Sequence, residues 1–581
     1  MKTEVLSRAN ELISGIVWGA PMLVLMLATG GYFSIRTGFF QIRRFPLCLR
    51  KTLFSAVRGR GEKQENGSVS AFQAMCSALA ATLGTGNITG VATALAAGGA
   101  GAVFWMWVSA VLGMMTGYAE NVLGILFRKR DENGEWRGGA MRYIREGLAE
   151  KPLTRPLAKP LSVLFAGLCL LAAFGMGNLA QMNSAAEALS ANFGVPPFAV
   201  GIAAALLAAP VIFGGVSRIG KFTEKLVPLM SGFYILGSVY ILVANREQLP
   251  AMFAEIFRSA FGLSAVGGGI CGYAVKKAVS MGIRRGVFSN EAGLGTSVSA
   301  HAASAEREPA VQGMWSIFEV FFDTIVMCSL TAFVLLASPN RAVPLSQALL
   351  SVSLDPQYVS LADEGLISGG VPFPTVGAGE PCRCLTVYGG EFSLPLGEGE
   401  PTFSNIATLR GIQSVDENGA ALWLDAAHTR PLIESAELVS VNGAALATYA
   451  FSQTFGGAAG KLLAAAVALF AFSTVVGWSC FGAQAAVFLF GKRAATPFRG
   501  VFTAFILLGS CAELSLAWGI SDTLNGLMAA PNLFAVLCLS DKVIAVTKNY
   551  TARVIRGEDI PPILTAEDFG EECGASGKLI D

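Results

Sequence analysis

Apolar runs long enough to cross a bilayer recur along the whole chain, and they leave few folds open. A membrane-spanning helix needs roughly 20 predominantly apolar residues. Eleven runs are candidates: 12–33, 71–97, 103–127, 161–189, 198–213, 226–243, 261–283, 315–336, 462–490, 502–518 and 524–546. A length of 581 residues would otherwise suggest several soluble domains, but only 14% of residues are charged, against about 25% in soluble domains. The first run continues past the usual signal-peptide core without an evident cleavage site, so it reads as a span. A net charge of +1 gives no electrostatic reason for a nucleic-acid partner.

Basic residues orient the spans. Arg36, Arg43, Arg44, Arg50, Lys51, Arg58, Arg60 and Lys63 follow the first run, and Arg128-Lys129-Arg130 the third. Arg218, Lys221 and Lys225 follow the fifth, Arg284-Arg285 the seventh, Lys492-Arg493 the ninth, and Lys548, Arg553 and Arg556 the last. Eleven spans put all of these on one side, which the positive-inside rule makes cytoplasmic. The N-terminus is then outside and the C-terminus inside. Residues 338–460 contain short alternating stretches (384–388, 421–424) among Gly, Pro and acidic residues, and read as a strand-rich extracellular insert.

The second run carries Gly84-Thr85-Gly86-Asn87-Ile88-Thr89-Gly90 at its middle. Glycine and threonine are poor helix formers. A break there exposes backbone N–H and C=O groups, which survive in a membrane only inside protein or beside a cavity. Freed amides at a half-helix N-terminus attract a carboxylate, and freed carbonyls coordinate a cation. The spacing G-x-G-x-x-x-G, with no preceding strand, excludes a dinucleotide loop. Close packing by small residues is the plainer alternative. Gly267-Gly268-Gly269 in the seventh run reads as a second break. Spans two to eleven then divide five plus five, with a break in the first span of each half. That is the arrangement of an inverted repeat with its binding site between broken helices.

Other polar residues lie at membrane depth. Asn178 and Gln181 are three apart and predicted to share a helix face. Ser473 and Thr474 offer hydroxyl oxygens of the kind Na⁺ accepts, or simply bond their own helix. Trp478 follows them as packing or as a pocket wall. Asp323 and Glu513 are intramembrane acids that serve either a structural pair or a cation. Glu291 is expected on the cytoplasmic side, as a cap or gate. The eleven cysteines are mostly isolated in apolar runs, as ordinary packing. Cys382 and Cys384, one residue apart, have poor zinc spacing. With only His301 and His428 in the chain, a transition-metal site is not expected. No nucleophile–histidine pair appears at membrane depth, which argues against an enzyme.

Several segments resemble the alanine/glycine:cation symporters, also called sodium:alanine symporters. They are 84–92 (GTGNITGVA), 101–108 (GAVFWMWV), 177–184 (GNLAQMNS), 285–295 (RGVFSNEAGLG), 472–478 (FSTVVGW) and 525–532 (NGLMAAPN). The resemblance implies a leucine-transporter-like 5+5 inverted repeat and Na⁺- or H⁺-coupled uptake of small neutral amino acids across the plasma (inner) membrane. It also implies that amides at Thr85, Gly86 and Asn87 hold the substrate carboxylate. Gln181 and carbonyls near Gly268 would meet the ammonium, and Trp478 would cap a small pocket. Carbonyls near Ala81 and Gly84, with Ser473 and Thr474, would take Na⁺; no other cofactor is implied. Where Cys480, Phe481 and Ala483 stand, the family usually has tyrosines and a glutamate. The insert is longer than expected and has no assigned partner.

The expected architecture is therefore an all-α polytopic membrane protein of eleven transmembrane helices. Residues 1–35 form an extra helix and 71–246 the first repeat. Residues 255–337 and 461–547 form the second repeat, 338–460 the insert and re-entry segment, and 548–581 a cytoplasmic tail. A Na⁺-coupled symporter of alanine or glycine is the favoured function. An H⁺-coupled symporter is the alternative, ahead of a non-transporting receptor or a channel.

Overall fold

The computed structural model describes residues 10, 12–57, 69–130, 136–261, 268–337, most of 447–511 and 514–568, with short strands between 343 and 424. Gly267, Glu513 and most of 338–460 lie outside the described residues. Within 343–424, Ala407–Val415 pairs antiparallel with Cys382–Val387 and with Ala420–Leu424.

The chain is mostly helical. Its principal helices are α1 (Ala20–Arg36), α2 (Ala71–Thr82), α3 (Thr89–Gly98), α4 (Gly101–Leu126), α5 (Ala140–Glu150) and α6 (Arg155–Phe174, continued by Ala180–Phe193). Then come α7 (Pro197–Phe213), α8 (Gly215–Ala244), α9 (Leu249–Ala260), α10 (Gly268–Asn290) and α11 (Pro309–Val320, continued to Ala337). The last are α12 (Ala459–Phe490), α13 (Ala495–Ser510), α14 (Leu514–Cys538) and α15 (Ser540–Tyr550). Among the described residues, five helices are long and apolar enough to cross a membrane unbroken, and two bent pairs pass together. The protein is a multi-pass membrane protein.

One bent pair is α2 with the segment Thr85–Leu95, at 61°. A capping box starts α2: Gln73 N–H donates to Ser70 Oγ (3.1 Å), and Ser70 N–H to Gln73 Oε1 (3.2 Å). The helix then stops at Thr82, where Gly84 adopts extended backbone. The other pair is α14 and α15, at 59°, where a single span was expected over 524–546.

The second break is not where the triple glycine suggested. Gly268 opens α10, which runs without interruption to Asn290. At 1.5 Å per residue, Gly268 is about 30 Å along the helix from Phe288. The chain leaves the helix over 291–297, with positive φ at Glu291 (55°), Gly293 (95°) and Gly295 (72°), and resumes at Val298–His301. Glycine tolerates that conformation without a Cβ penalty. The outgoing end of this span meets the incoming end of α2. Val69 N–H donates to Ala303 O (3.2 Å), and Ala305 N–H to Val69 O (2.8 Å).

Arg128 gathers the same end of the bundle by donating to the Ser304 and Glu306 carbonyls, both at 2.5 Å, and Arg553 pairs there with Glu308 (2.7 Å). Arg284 and Arg285 belong to the opposite end. Both pair with Asp522, at 2.6 and 3.3 Å, and the Asp522 carbonyl accepts the Trp18 indole N–H. Asp522 is about 24 Å along α14 from Cys538, whose carbonyl takes Lys151 at the first end. The expectation that Arg284-Arg285 joins the other basic clusters is thus corrected. The charge rule weighs loop residues at span ends, and these two lie within a helix, compensated by a carboxylate.

Asp522 is 3% exposed. Replacing it with Asn leaves two guanidinium groups without their counter-charge, at a cost of roughly 3 kcal/mol. Asp522→Asn is expected to lower the thermal unfolding midpoint in detergent, read by intrinsic fluorescence, by several degrees relative to the parent protein.

Candidate functional site

The first break faces the last turn of α10, just ahead of the second break. A Cβ added at Gly86 would lie 3.3 Å from the Phe288 ring. Asn87 Nδ2 donates to Ser289 Oγ (2.9 Å) and to Asp323 Oδ1 (2.7 Å). Ser289 and Thr324 hydroxyls donate to Asp323 Oδ2, at 2.7 and 2.9 Å. Asp323 sits in a widened helical turn of α11, Phe321–Cys328. Such π-type turns shift side chains out of α-helical register. Asn87 is anchored a second way: its carbonyl accepts from Thr331 Oγ1 (2.8 Å), which lies 2.6 Å from the Tyr234 hydroxyl.

On the other flank, Thr85 N–H (3.1 Å) and Thr85 Oγ1 (2.9 Å) both donate to Gln181 Oε1. Gln181 Nε2 donates to Met176 O (3.2 Å). Asn178 lies within a widened turn, Gly175–Leu179, and Gln181 in the regular helix after it, which separates their directions. Asn178 Nδ2 therefore donates to the Phe502 carbonyl (2.7 Å), away from the break. The expectation of one shared face fails because it assumed 3.6 residues per turn through this segment.

α12 closes the third side. Thr474 Oγ1 donates to the Leu83 carbonyl at 3.4 Å. Ser473 Oγ is buried without a hydrogen-bond partner. Gly477 permits this approach, since a Cβ there would sit 2.7 Å from the Ala81 amide nitrogen. Leu83 and Gly84 at the first break thus lie against Thr474, and Ala81 against Gly477. Trp478 is fully buried and donates to Glu291 Oε1 (3.0 Å), while Thr296 donates to Glu291 Oε2. Glu291 therefore lies about one helical turn from the first break, on the side of α12 that leads to Ser479 and Cys480.

The structure gathers Thr85, Gly86, Asn87, Gln181, Gly84, Thr474 and Ala81. It sets Asn178 apart and leaves Gly268 a full helix length away. Ser289, Phe288 and the anchoring role of Asp323 were not assigned to the site from sequence. The signal was present in Ser289-Asn290-Glu291-Ala292-Gly293-Leu294-Gly295, where two glycines follow an asparagine.

Beyond Trp478, the next turns of α12 open on space. A cavity of about 200 Å³ is lined by Ser479, Cys480, Ala483 and Gln484 with Arg137 and Arg499. It adjoins one of about 410 Å³ that shares Arg137, Gln484 and Val487. Cys480 and Ala483, two of the departures from the family pattern, line this space.

A family model described as the sodium:alanine symporter family matches residues 3–357 and 429–563. The sodium/alanine symporter AgcS of Methanococcus maripaludis is 36% identical over 538 residues, covering 93% of this chain and 96% of its own. An uncharacterized transporter of Haemophilus influenzae is 35% identical, covering 93% and 95%. The probable sodium/glutamine symporter GlnT of Bacillus subtilis is 29% identical, covering 96% and 93%. Among solved structures, the Eremococcus coleocola manganese transporter aligns over 87% of this chain and 83% of its own, with 13% identity and a TM-score of 0.42. That likeness is too distant to carry an argument.

Gly84→Ala is expected to abolish ligand binding while the protein still folds. The added Cβ would lie 2.7 Å from Thr474 Oγ1 and 2.9 Å from Gln181 Oε1, so both side chains must leave the break. Scintillation proximity with labelled alanine checks binding, and size-exclusion chromatography checks folding.

Proposed function

Since this chain belongs to the sodium:alanine symporter family, we propose that it is a cation-coupled symporter of small neutral amino acids, with Na⁺ as the coupling ion and alanine or glycine as substrate. The observation that carries the reading is the meeting of the first break, Gly84–Asn87, with Phe288 and Ser289 in the last turn of α10, just before the second break over 291–297. Backbone groups freed from helical bonding there offer both signs of partial charge.

In this reading the amides at Thr85, Gly86 and Asn87 receive the substrate carboxylate. Gln181 Oε1, now occupied by Thr85, turns to the ammonium. Ser473 Oγ, Thr474 Oγ1 and the carbonyls of Ala81 and Gly84 take Na⁺. Phe288 and Trp478 limit the side chain that fits. Sodium binds first because it fixes the end of α2, and the ordered amides then select the substrate. The cavities beyond Trp478 form the release path on the basic, cytoplasmic side. The Arg284–Asp522–Arg285 cluster closes the opposite side.

The wider frame is eleven spans with the N-terminus outside and spans two to eleven as a 5+5 inverted repeat. The second break now falls after Asn290. Val69 meets Ala303–Ala305 in a parallel bridge, which holds the start of α2 and the end of the Val298–His301 segment at one end of the bundle.

Uptake of labelled alanine and glycine into proteoliposomes tests this, with an inward gradient of Na⁺, Li⁺ or H⁺ alone. Concentrative uptake driven by Na⁺ supports the reading, and uptake driven equally by a proton gradient without Na⁺ replaces the coupling ion. Thr474→Ala is expected to raise the sodium half-saturation about tenfold or more, the loss of one oxygen ligand being worth roughly 1.5 kcal/mol. An unchanged half-saturation contradicts the assignment.

A further inference from the structure

Of the two histidines in the chain, His301 is fully buried. It ends the short helix Val298–His301 that follows the second break. Its Nε2 lies 3.0 Å from Glu319 Oε2, and its Nδ1 lies 2.5 Å from Gln312 Nε2. Glu319 Oε1 and Gln312 Oε1 are buried without hydrogen-bond partners.

This arrangement accepts the ring with or without an extra proton. With the Gln312 amide as placed, its N–H donates to Nδ1 and a neutral imidazole donates from Nε2 to Glu319. Rotating that amide by 180° exchanges nitrogen and oxygen. Gln312 Oε1 then accepts from Nδ1–H, and an imidazolium donates at both nitrogens. Neither state leaves the ring unsatisfied.

The surroundings give the proton an electrostatic role. α4 contributes Glu120 and Tyr118, the second break Glu291 and α11 Asp323; the three acids all feel the charge of Glu319. Arg128, at the end of α4, is spent on the Ala302, Ser304 and Glu306 carbonyls. Glu306 and Arg307 follow on the loop, and Lys51 and Arg553 act on Glu308 at the start of α11. From α12, Gln484 donates to Ser299 O, and α2 brings no charged residue. Glu120, Glu291, Glu319 and Asp323 are each at most 1% exposed. Buried net charge is costly. One proton shared by His301 and Glu319 makes the pair neutral, and its loss leaves the pair at −1.

Glu319 and Asp323 are four residues apart on α11, and each feels the other's charge. Asp323 binds Asn87 in the first break. A negative charge on Glu319 therefore favours a cation at that break, and neutralising it removes the attraction.

We propose that His301, Glu319 and Gln312 form a proton-binding site, distinct from the substrate site, whose occupancy weakens binding of the coupling cation at the first break. The cation half of this statement rests on the transport reading above. Sodium half-saturation for alanine uptake is expected to rise several-fold when the pH is lowered from about 8 to about 6, since protons and sodium oppose each other through linkage. Glu319→Gln is expected to hold the high half-saturation at both pH values, and His301→Gln to move the pH at which the change occurs. A parent protein whose half-saturation ignores pH overturns the proposal, and so does a Glu319→Gln variant that keeps the parent profile.

If no sodium-dependent uptake occurs at any pH, the transport reading fails and the proton site is read directly. Nitrogen-15 histidine NMR of the protein in nanodiscs shows two imidazoles, and His301→Gln assigns them. The His301 signal is expected to titrate, with sodium lowering its midpoint where sodium binds. A His301 signal that stays constant between about pH 5 and pH 9 overturns the proton site whatever the transport result.

Discussion

A helix can be interrupted at membrane depth only if protein supplies partners for the groups it stops bonding, and much of this structure answers that requirement. At the first break, Gln181 accepts the Thr85 amide, Asn87 folds back on the Gly84 amide and Thr331 caps the Asn87 carbonyl. Each partner has its own support. Thr331 is backed by Tyr234, and Asn87 by Asp323, which two hydroxyls hold in place. The break after α2 is tied to helices α6, α8, α10 and α11 through these nine residues. The interruption is thus the point at which the bundle converges.

The same requirement explains why the site is poised to bind. At the first break the Thr85 and Gly84 amides are held by side chains, while the Asn87 and Ile88 amides keep backbone partners in a tight turn. A carboxylate or a cation can replace side-chain partners without unwinding anything. Ser473, with a buried hydroxyl that has no partner, is the clearest place where an incoming ligand would restore a missing interaction. The two ends of the bundle differ in kind. One has space below Trp478 lined by Cys480 and Gln484. The other is bound by the Asp522 ion pairs and the Trp18 indole.

Much of this was legible in the sequence, for definite reasons. Among the described residues, five unbroken spans and two bent pairs followed from apolar length, and the first break from three glycines that no helix would concentrate without cause. The second break was misplaced because glycine count was used where glycine context mattered. Gly268 and Gly269 can be absorbed at a helix start, which tolerates them. Gly293 and Gly295 take positive φ, which a helix cannot. Asn178 was misdirected by a widened turn, which has no sequence signature beyond the glycines around it. Asp323 was recognised as an intramembrane acid, but its partner Asn87 is 236 residues away, and a single sequence carries no signal for that contact. The positive-inside rule misled at Arg284 and Arg285, where charge is neutralised within the bundle.

The central claim is that ligand and cation bind at the first break, Gly84–Asn87, where it meets the end of α10 at Phe288 and Ser289. The most direct measurement is a cryo-EM map of the protein in nanodiscs with saturating sodium and alanine, compared with a map in choline without substrate. The account predicts substrate density between the Thr85–Asn87 backbone and Phe288, with a second, smaller peak among Ala81, Gly84, Ser473 and Thr474. Ligand density at the Gly268 end of α10, or identical maps in the two conditions, would contradict it.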